Sequence, residues 1–110
     1  MTDPAGARSP DDLLIDRATA GDTAALAELF GRYRKRLRAM VRLRLDRRLQ
    51  GRVDPSDVLQ EAYLDVAQQL SSYRAKPEMS FYLWLRLTTG QRLMRLHRQH
   101  LVLQRQVVPD

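Results

Sequence analysis

Residues 54–73 read DPSDVLQEAYLDVAQQLSSY, and this stretch decides the fold. It begins with Asp54-Pro55, a typical helix start, because a carboxylate caps free backbone N–H groups and proline fits the first turn. Asp57 stands three residues after the cap, where it can complete a capping box. Apolar residues then recur with the period of an amphipathic helix, at Val58, Leu59, Ala62, Tyr63, Val66 and Leu70. The stretch therefore predicts a helix that ends near Tyr73.

The opposite side of this helix is polar, with one leucine at its centre. It carries an acidic face made of Asp57, Gln60, Glu61, Leu64 and Gln68. An apolar centre inside a polar rim is typical of a surface that binds another protein, here a basic one. Two plainer interpretations stay open, since single exposed leucines are ordinary and an acid near a helix start is often only a cap.

Two further helices are predicted before this one. Ser9-Pro10 starts a short helix that stops at Gly21, and Asp22 caps a second helix. Apolar residues of the second helix keep a 3.6-residue period, and neither proline nor glycine interrupts the chain between Tyr33 and Gln50. We therefore expect the second helix to continue to Gln50 and to end at Gly51.

A fourth helix follows a loop over residues 74–80. Ser80 is its predicted cap, Met79 and Trp84 have the spacing of a hydrophobic staple, and the helix runs to about Leu103. The predicted fold class is all-α: a compact bundle of three principal helices with a short N-terminal helix. Residues 9–103 form this domain, residues 1–8 are a disordered tail, and residues 104–110 are a frayed tail or the start of a linker.

Charge alternates in blocks along the chain. Residues 1–30, 31–53, 54–73 and 74–110 carry net charges of −4, +9, −4 and +5, and arginine supplies 17 of the 19 basic residues. Such blocks indicate two kinds of partner surface on one domain. Arginine favours nucleic acid weakly, because its planar guanidinium binds phosphates and base edges with two hydrogen bonds.

One side of the fourth helix joins an aromatic ring to basic groups. We define a basic stripe by the spacing i, i+4, i+7, i+11 and i+14, which selects Trp84, Thr88, Gln91, Arg95 and Arg98, with Arg92 at its border. Aromatic rings stack on unpaired bases, amides bond base edges and arginines hold phosphates, so the stripe suits partly single-stranded DNA. The alternatives are that the tryptophan belongs to the core and that the arginines, like those of the second helix, are only solvated.

No pattern of an enzyme, metal or cofactor site is found. The chain has no cysteine, no Gly-rich phosphate loop and no zinc-spaced set of ligands, and His97 and His100 are best explained as a solvated pair. We therefore predict neither catalysis, nor a metal, nor a cofactor. The lack of a signal peptide or a long apolar run predicts a cytoplasmic protein without a membrane partner.

Three motifs, in order, resemble a known family. Residues 14–30 resemble the opening of region two of extracytoplasmic-function sigma factors. Residues 57–63, DVLQEAY, look like their D-[LV]-[VL]-Q-E-[AV]-[FY] motif, and residues 81–85, FYLWL, resemble their F-x-x-W-L motif. The resemblance covers about residues 12–100 and implies the helical bundle of that region.

The resemblance also implies partners for each surface. The acidic face would bind the clamp helices of the largest subunit of core RNA polymerase. The loop at 74–80 would pocket a base flipped from the non-template strand of the promoter −10 element, and the last helix would read neighbouring bases. DNA-binding candidates are then Arg74, Lys76, Ser80, Trp84, Thr88, Gln91, Arg92, Arg95 and Arg98. An anti-sigma factor is a further candidate partner.

Two positions depart from the family pattern. Gln91 stands where the family often has asparagine, and Arg95 stands where it has aspartate or asparagine, so a different −10 preference is expected. The second DNA-binding domain of the family, which reads the −35 element, is expected to be absent. Two other classes remain open from the residues alone: a protein-interaction bundle with a merely solvated basic face, and a general nucleic-acid-binding protein indifferent to polymerase.

Overall fold

The computed structural model describes residues 10–107, and their side chains through residue 103. Four α-helices follow one another: α1 (Pro10–Thr19), α2 (Thr23–Arg44), α3 (Pro55–Ala75) and α4 (Phe81–Val107). A 3-10 helix, Arg47–Leu49, lies between α2 and α3. The predicted all-α bundle with a short first helix is thus confirmed. The predicted tail at residues 1–8 and the cap at Ser9 lie outside the described residues.

One core joins the four helices. α2 packs against α1, α3 and α4, and α3 also contacts α1 and α4. The side chains with almost no exposed surface include leucines from every long helix: Leu29 and Leu37 from α2, Leu59 from α3, and Leu85 and Leu93 from α4. This burial sets which sides of α3 and α4 remain at the surface. Within the described residues no helix is long and apolar enough to span a bilayer.

The expectation that α2 reaches Gln50 is wrong. α2 ends at Arg44, Leu45 is extended, and the side chain of Asp46 caps the 3-10 helix by accepting from the backbone N–H of Arg48. The reason is geometric, because side chains four residues apart on a continuous helix are offset by about 40° around its axis. From Leu37 to Leu49 this offset would accumulate over three steps, and Leu49 would point away from the core that contains Leu37. Breaking the helix lets both Leu45 and Leu49 be buried.

The other helix limits agree within a few residues. Asp54 caps α3 through its side chain, which accepts from the backbone N–H of Ser56, and the helix ends at Ala75 rather than near Tyr73. Ser80 caps α4 as predicted, since its hydroxyl accepts from the N–H of Leu83. α4 continues past Leu103 to Val107.

Candidate interaction surfaces

The acidic face of α3 lies at the surface. All five of its predicted residues are exposed, and Leu64 in its centre retains 57% of its accessible area. A shallow depression there is lined by Asp57, Gln60, Glu61, Tyr63 and Leu64. The face therefore presents an apolar contact surrounded by carboxylates and amides.

Burial of the inner side fixes this orientation. Val58, Leu59, Ala62 and Val66 have 1% or less of their surface exposed. Tyr63 lies at the border, half-buried, with its ring perpendicular to that of Phe30 of α2 at a centroid distance of 5.2 Å. The acidic face consequently cannot turn inward without exposing the whole apolar side of the helix.

A buried acid beside this face was missed by sequence reasoning. Asp65 is 6% exposed, and its carboxylate accepts from Arg92 Nε at 2.7 Å and from Arg92 Nη2 at 2.6 Å. Arg95 Nη2 donates to the same carboxylate at 3.3 Å. Nη1 of Arg92 forms an ion pair with Glu61 Oε2 at 3.7 Å. We call Glu61, Asp65, Arg92 and Arg95 the α3–α4 charge network.

Electrostatics within the network follow from these contacts. The hydrogen bonds from Arg92 hold the pKa of Asp65 below its ordinary value, although burial acts in the opposite direction. The same hydrogen bonds raise the pKa of the Arg92 guanidinium. Both groups are therefore charged at neutral pH, and the buried carboxylate is compensated by two cations.

The basic stripe of α4 is not exposed along its whole length. Gln91, Arg95 and Arg98 are exposed, and Trp84 is half-buried. Thr88 is only 3% exposed and packs against the core, so it does not offer the surface for DNA that the sequence predicted. Arg92, at the border of the stripe, is turned toward Asp65 rather than to solvent. α4 faces α3 along this edge, and the helical period alone did not reveal where the boundary of the core falls.

Trp84 belongs to an aromatic cluster at the junction of α3 and α4. Its ring stacks on Tyr73 at a centroid distance of 4.8 Å, and Phe81 lies 5.8 Å away. The hydroxyl of Tyr73 donates to the backbone carbonyl of Met79, which holds the loop over the cluster. The tryptophan therefore packs against the core while remaining only half-buried.

The loop and the end of α3 form a small polar and aromatic depression. Its lining is Gln69, Ser72, Tyr73, Lys76, Glu78, Met79 and Trp84. Of the predicted loop residues, Lys76 is exposed beside it, whereas Ser80 is occupied with capping α4. Arg74 makes an ion pair with Asp16 of α1, so it lies apart from the stripe.

The basic residues of α2 divide into paired and solvated groups. Arg32 forms ion pairs with Asp11 and Glu28, and Arg36 lies 3.9 Å above the ring of Tyr82. Arg38 donates to the hydroxyl of Ser56 at 3.4 Å. The remaining cations of the helix are exposed, namely Arg34, Lys35, Arg42 and Arg44.

A second apolar surface lies on the outer side of α4 and was also missed. Leu83, Leu87 and Met94 are each about half exposed, and they line a depression together with Arg44 and Arg86.

Among residues 10–107, no group of three or more potential metal-binding side chains lies together.

The comparisons with known proteins give one match. A family model described as Sigma-70 region 2 matches residues 29–101, which is more than half of the chain and includes all of α3. Neither the curated proteins nor the solved structures gave a significant match.

Proposed function

The chain belongs to the sigma-70 region 2 family, and from this membership we propose that it is the region-two domain of an extracytoplasmic-function sigma factor. The family acts in transcription initiation, where its members bind core RNA polymerase and promoter DNA. It is not a class of enzymes. The finer assignment rests on the motifs at residues 57–63 and 81–85, which have the order and spacing of that subgroup.

For core RNA polymerase we propose the acidic face of α3 as the docking surface. Its two carboxylates, Asp57 and Glu61, flank the exposed side chain of Leu64. The clamp helices of the largest polymerase subunit are the proposed partner. This arrangement of an apolar centre and a charged rim, on a helix whose other side is buried, is the observation that carries the proposal.

For the promoter we propose the depression at Trp84 and the exposed part of the basic stripe. A base flipped from the non-template strand of the −10 element would enter between the loop and the aromatic cluster. Gln91, Arg95 and Arg98 would contact the bases and phosphates beside it. The proposed cytoplasmic location and control by an anti-sigma factor follow from the same assignment.

We expect the isolated domain to bind promoter DNA weakly, because the cost of extruding a base nearly equals the gain from stacking it. Extruding a base costs a few kcal/mol, and stacking on an aromatic ring returns about 1–3 kcal/mol per base. The two nearly cancel, so we expect core polymerase to be required for open-strand binding. Tight, sequence-specific binding of duplex DNA by the lone domain would contradict this mechanism.

The test is a titration of the chain with purified core RNA polymerase. The variant Asp57→Arg/Glu61→Arg is expected to abolish binding of the chain to the polymerase. The control Glu28→Arg/Glu78→Arg changes the net charge equally with exposed acids outside the acidic face, and it is expected to bind like the wild type. Circular dichroism establishes that each variant is folded.

Each other result has a distinct meaning. If both double variants lose affinity equally, net charge and not the acidic face governs binding. If the wild type binds nucleic acid with steep salt dependence but does not bind polymerase, the chain is a general nucleic-acid-binding protein, and the exposed cations of α2 are its natural surface.

A further inference from the structure

Asp65 is the only charged side chain that is buried within the described part of the chain, and it is shared by two arginines of α4. A buried ion pair is a weak source of net stability, because desolvation offsets much of the attraction. What it does fix is geometry, since a carboxylate that accepts three hydrogen bonds defines where each donor points.

The two arginines are held to different extents. Arg92 uses Nε and Nη2 on Asp65, its Nη1 faces Glu61, and its side chain is 20% exposed. Arg95 gives only Nη2 to the carboxylate, and its side chain is 49% exposed. The remaining donors of Arg95 are therefore free for an external acceptor, whereas the donors of Arg92 are taken up by Asp65 and Glu61.

We infer that Asp65 is a positioning residue for DNA binding, which holds Arg92 between α3 and α4 and away from the nucleic-acid backbone, so that Arg95 is the one of the two arginines that contacts DNA. The inference rests on the proposed function and deepens it, because it divides the arginines of the stripe. Arg95 contacts DNA. Arg92 serves as the internal partner of the acid and contributes no phosphate contact.

Salt dependence measures this division directly. Each phosphate neutralised on single-stranded DNA contributes about 0.7 to the slope of log affinity against log salt concentration. Replacing Asp65 by asparagine removes the charge that retains Arg92, so the released guanidinium is free to reach a phosphate. A purely structural role of Asp65 would change stability and leave this slope unaltered.

The first experiment compares Asp65→Asn with Asp54→Asn on the full chain. Fluorescence anisotropy follows binding to a labelled single-stranded oligonucleotide of mixed sequence at several salt concentrations. Both variants lose one negative charge, and asparagine caps a helix as well as aspartate does. We expect a slope steeper by about 0.7 for Asp65→Asn and the wild-type slope for Asp54→Asn. Equal slopes for the two variants would overturn the inference.

Removal of each arginine gives a second, independent test, should Asp65→Asn fold poorly. Arg95→Met is expected to lower the slope by about 0.7, while Arg92→Met leaves it at the wild-type value. The double variant Asp65→Asn/Arg92→Met should return to the wild-type slope, since the released group is gone. If Arg92→Met lowers the slope as much as Arg95→Met, Arg92 itself contacts DNA and the inference is wrong.

Failure of the proposed function would be seen separately. Binding of the wild type to core polymerase tests the sigma assignment and does not involve the oligonucleotide. A chain that shows the expected slopes without binding polymerase retains the role of Asp65 and loses the assignment. A chain that binds polymerase with unchanged slopes retains the assignment and loses the role of Asp65.

Discussion

The imidazole of His97 on α4 accepts a hydrogen bond at Nε2 from the backbone N–H of Asp46, at 3.1 Å. Asp46 begins the 3-10 helix in the connector between α2 and α3, so this bond ties the connector to the last helix. The backbone donor has no helical partner because α2 has already ended. His97 therefore has a structural role, in place of the solvated one expected from the sequence.

Replacing His97 by phenylalanine should lower the free energy of unfolding by about 1–2 kcal/mol, because a part-buried N–H loses its acceptor. Chemical denaturation measures the change. His100→Phe is the matched control and should stay within about 0.5 kcal/mol of the wild type. Equal effects of the two substitutions would show that the bond to Asp46 contributes nothing.

Replacing glycine by alanine should have opposite effects on stability at Gly21 and at Gly31. Gly21 has φ of 103°, a conformation that costs an L-residue about 1–2 kcal/mol, so Gly21→Ala should destabilise the fold by that amount. Gly31 lies inside α2 with open space around an added Cβ, and Gly31→Ala should stabilise it by about 0.5–1 kcal/mol. Thermal melts of both variants test the pair, and a stabilising Gly21→Ala would contradict the assigned turn.

The features of the fold that could be predicted from the sequence are those that a local residue pattern determines. The Asp54-Pro55 start and the apolar period of α3 were sufficient to identify the helix and to leave Leu64 on its outer side. The end of α2 was not predictable in this way. It depends on burying Leu49 and on an acceptor from His97, which is 51 positions away from Asp46 in the chain.

Prediction of the basic stripe and of Asp65 was limited in the same way, because local spacing does not reveal contacts between helices. Helical spacing grouped Gln91, Arg95 and Arg98, which are all exposed, with Thr88, which packs inward. Asp65 follows Glu61 by four residues, so it lies between the acidic face and the core. That spacing was a usable signal for a buried acid, but its arginine partners come from another helix and could not be identified without the fold.

Stability at high pH should depend on Tyr33. Burial, followed by the hydrogen bond to Asp11, raises the pKa of Tyr33 to about 12. An unfolded tyrosine titrates near 10. The folded state therefore retains a proton that the unfolded state loses, so this contribution is complete below about pH 10 and disappears as pH rises toward 12. Tyr33→Phe should remove that part of the pH dependence in denaturation measured across this range.

Stability in acid should depend on Asp65. Its pKa is lowered by the hydrogen bonds from Arg92, so the folded state binds the proton less readily than the unfolded state. The contribution is present above the unfolded value near pH 4 and is lost as pH falls through the lower folded value. Asp65→Asn should be less stable than the wild type at neutral pH, and the difference should shrink below about pH 4. A constant difference over the whole range would contradict this assignment.

Leu64 should contribute to binding and not to folding. Its side chain is 57% exposed, so Leu64→Ala should alter the unfolding free energy by less than about 0.5 kcal/mol. At the centre of a proposed interface, the same truncation should cost more than about 1 kcal/mol of affinity for core polymerase, roughly a fivefold to tenfold weakening. Leu59→Ala, on the buried side of α3 with 1% exposure, is the converse control and should cost about 2–5 kcal/mol of stability. Because the two leucines lie on opposite sides of one helix, measuring stability and affinity for both separates packing from docking. Unchanged polymerase affinity in Leu64→Ala would exclude this leucine as the apolar centre of the interface.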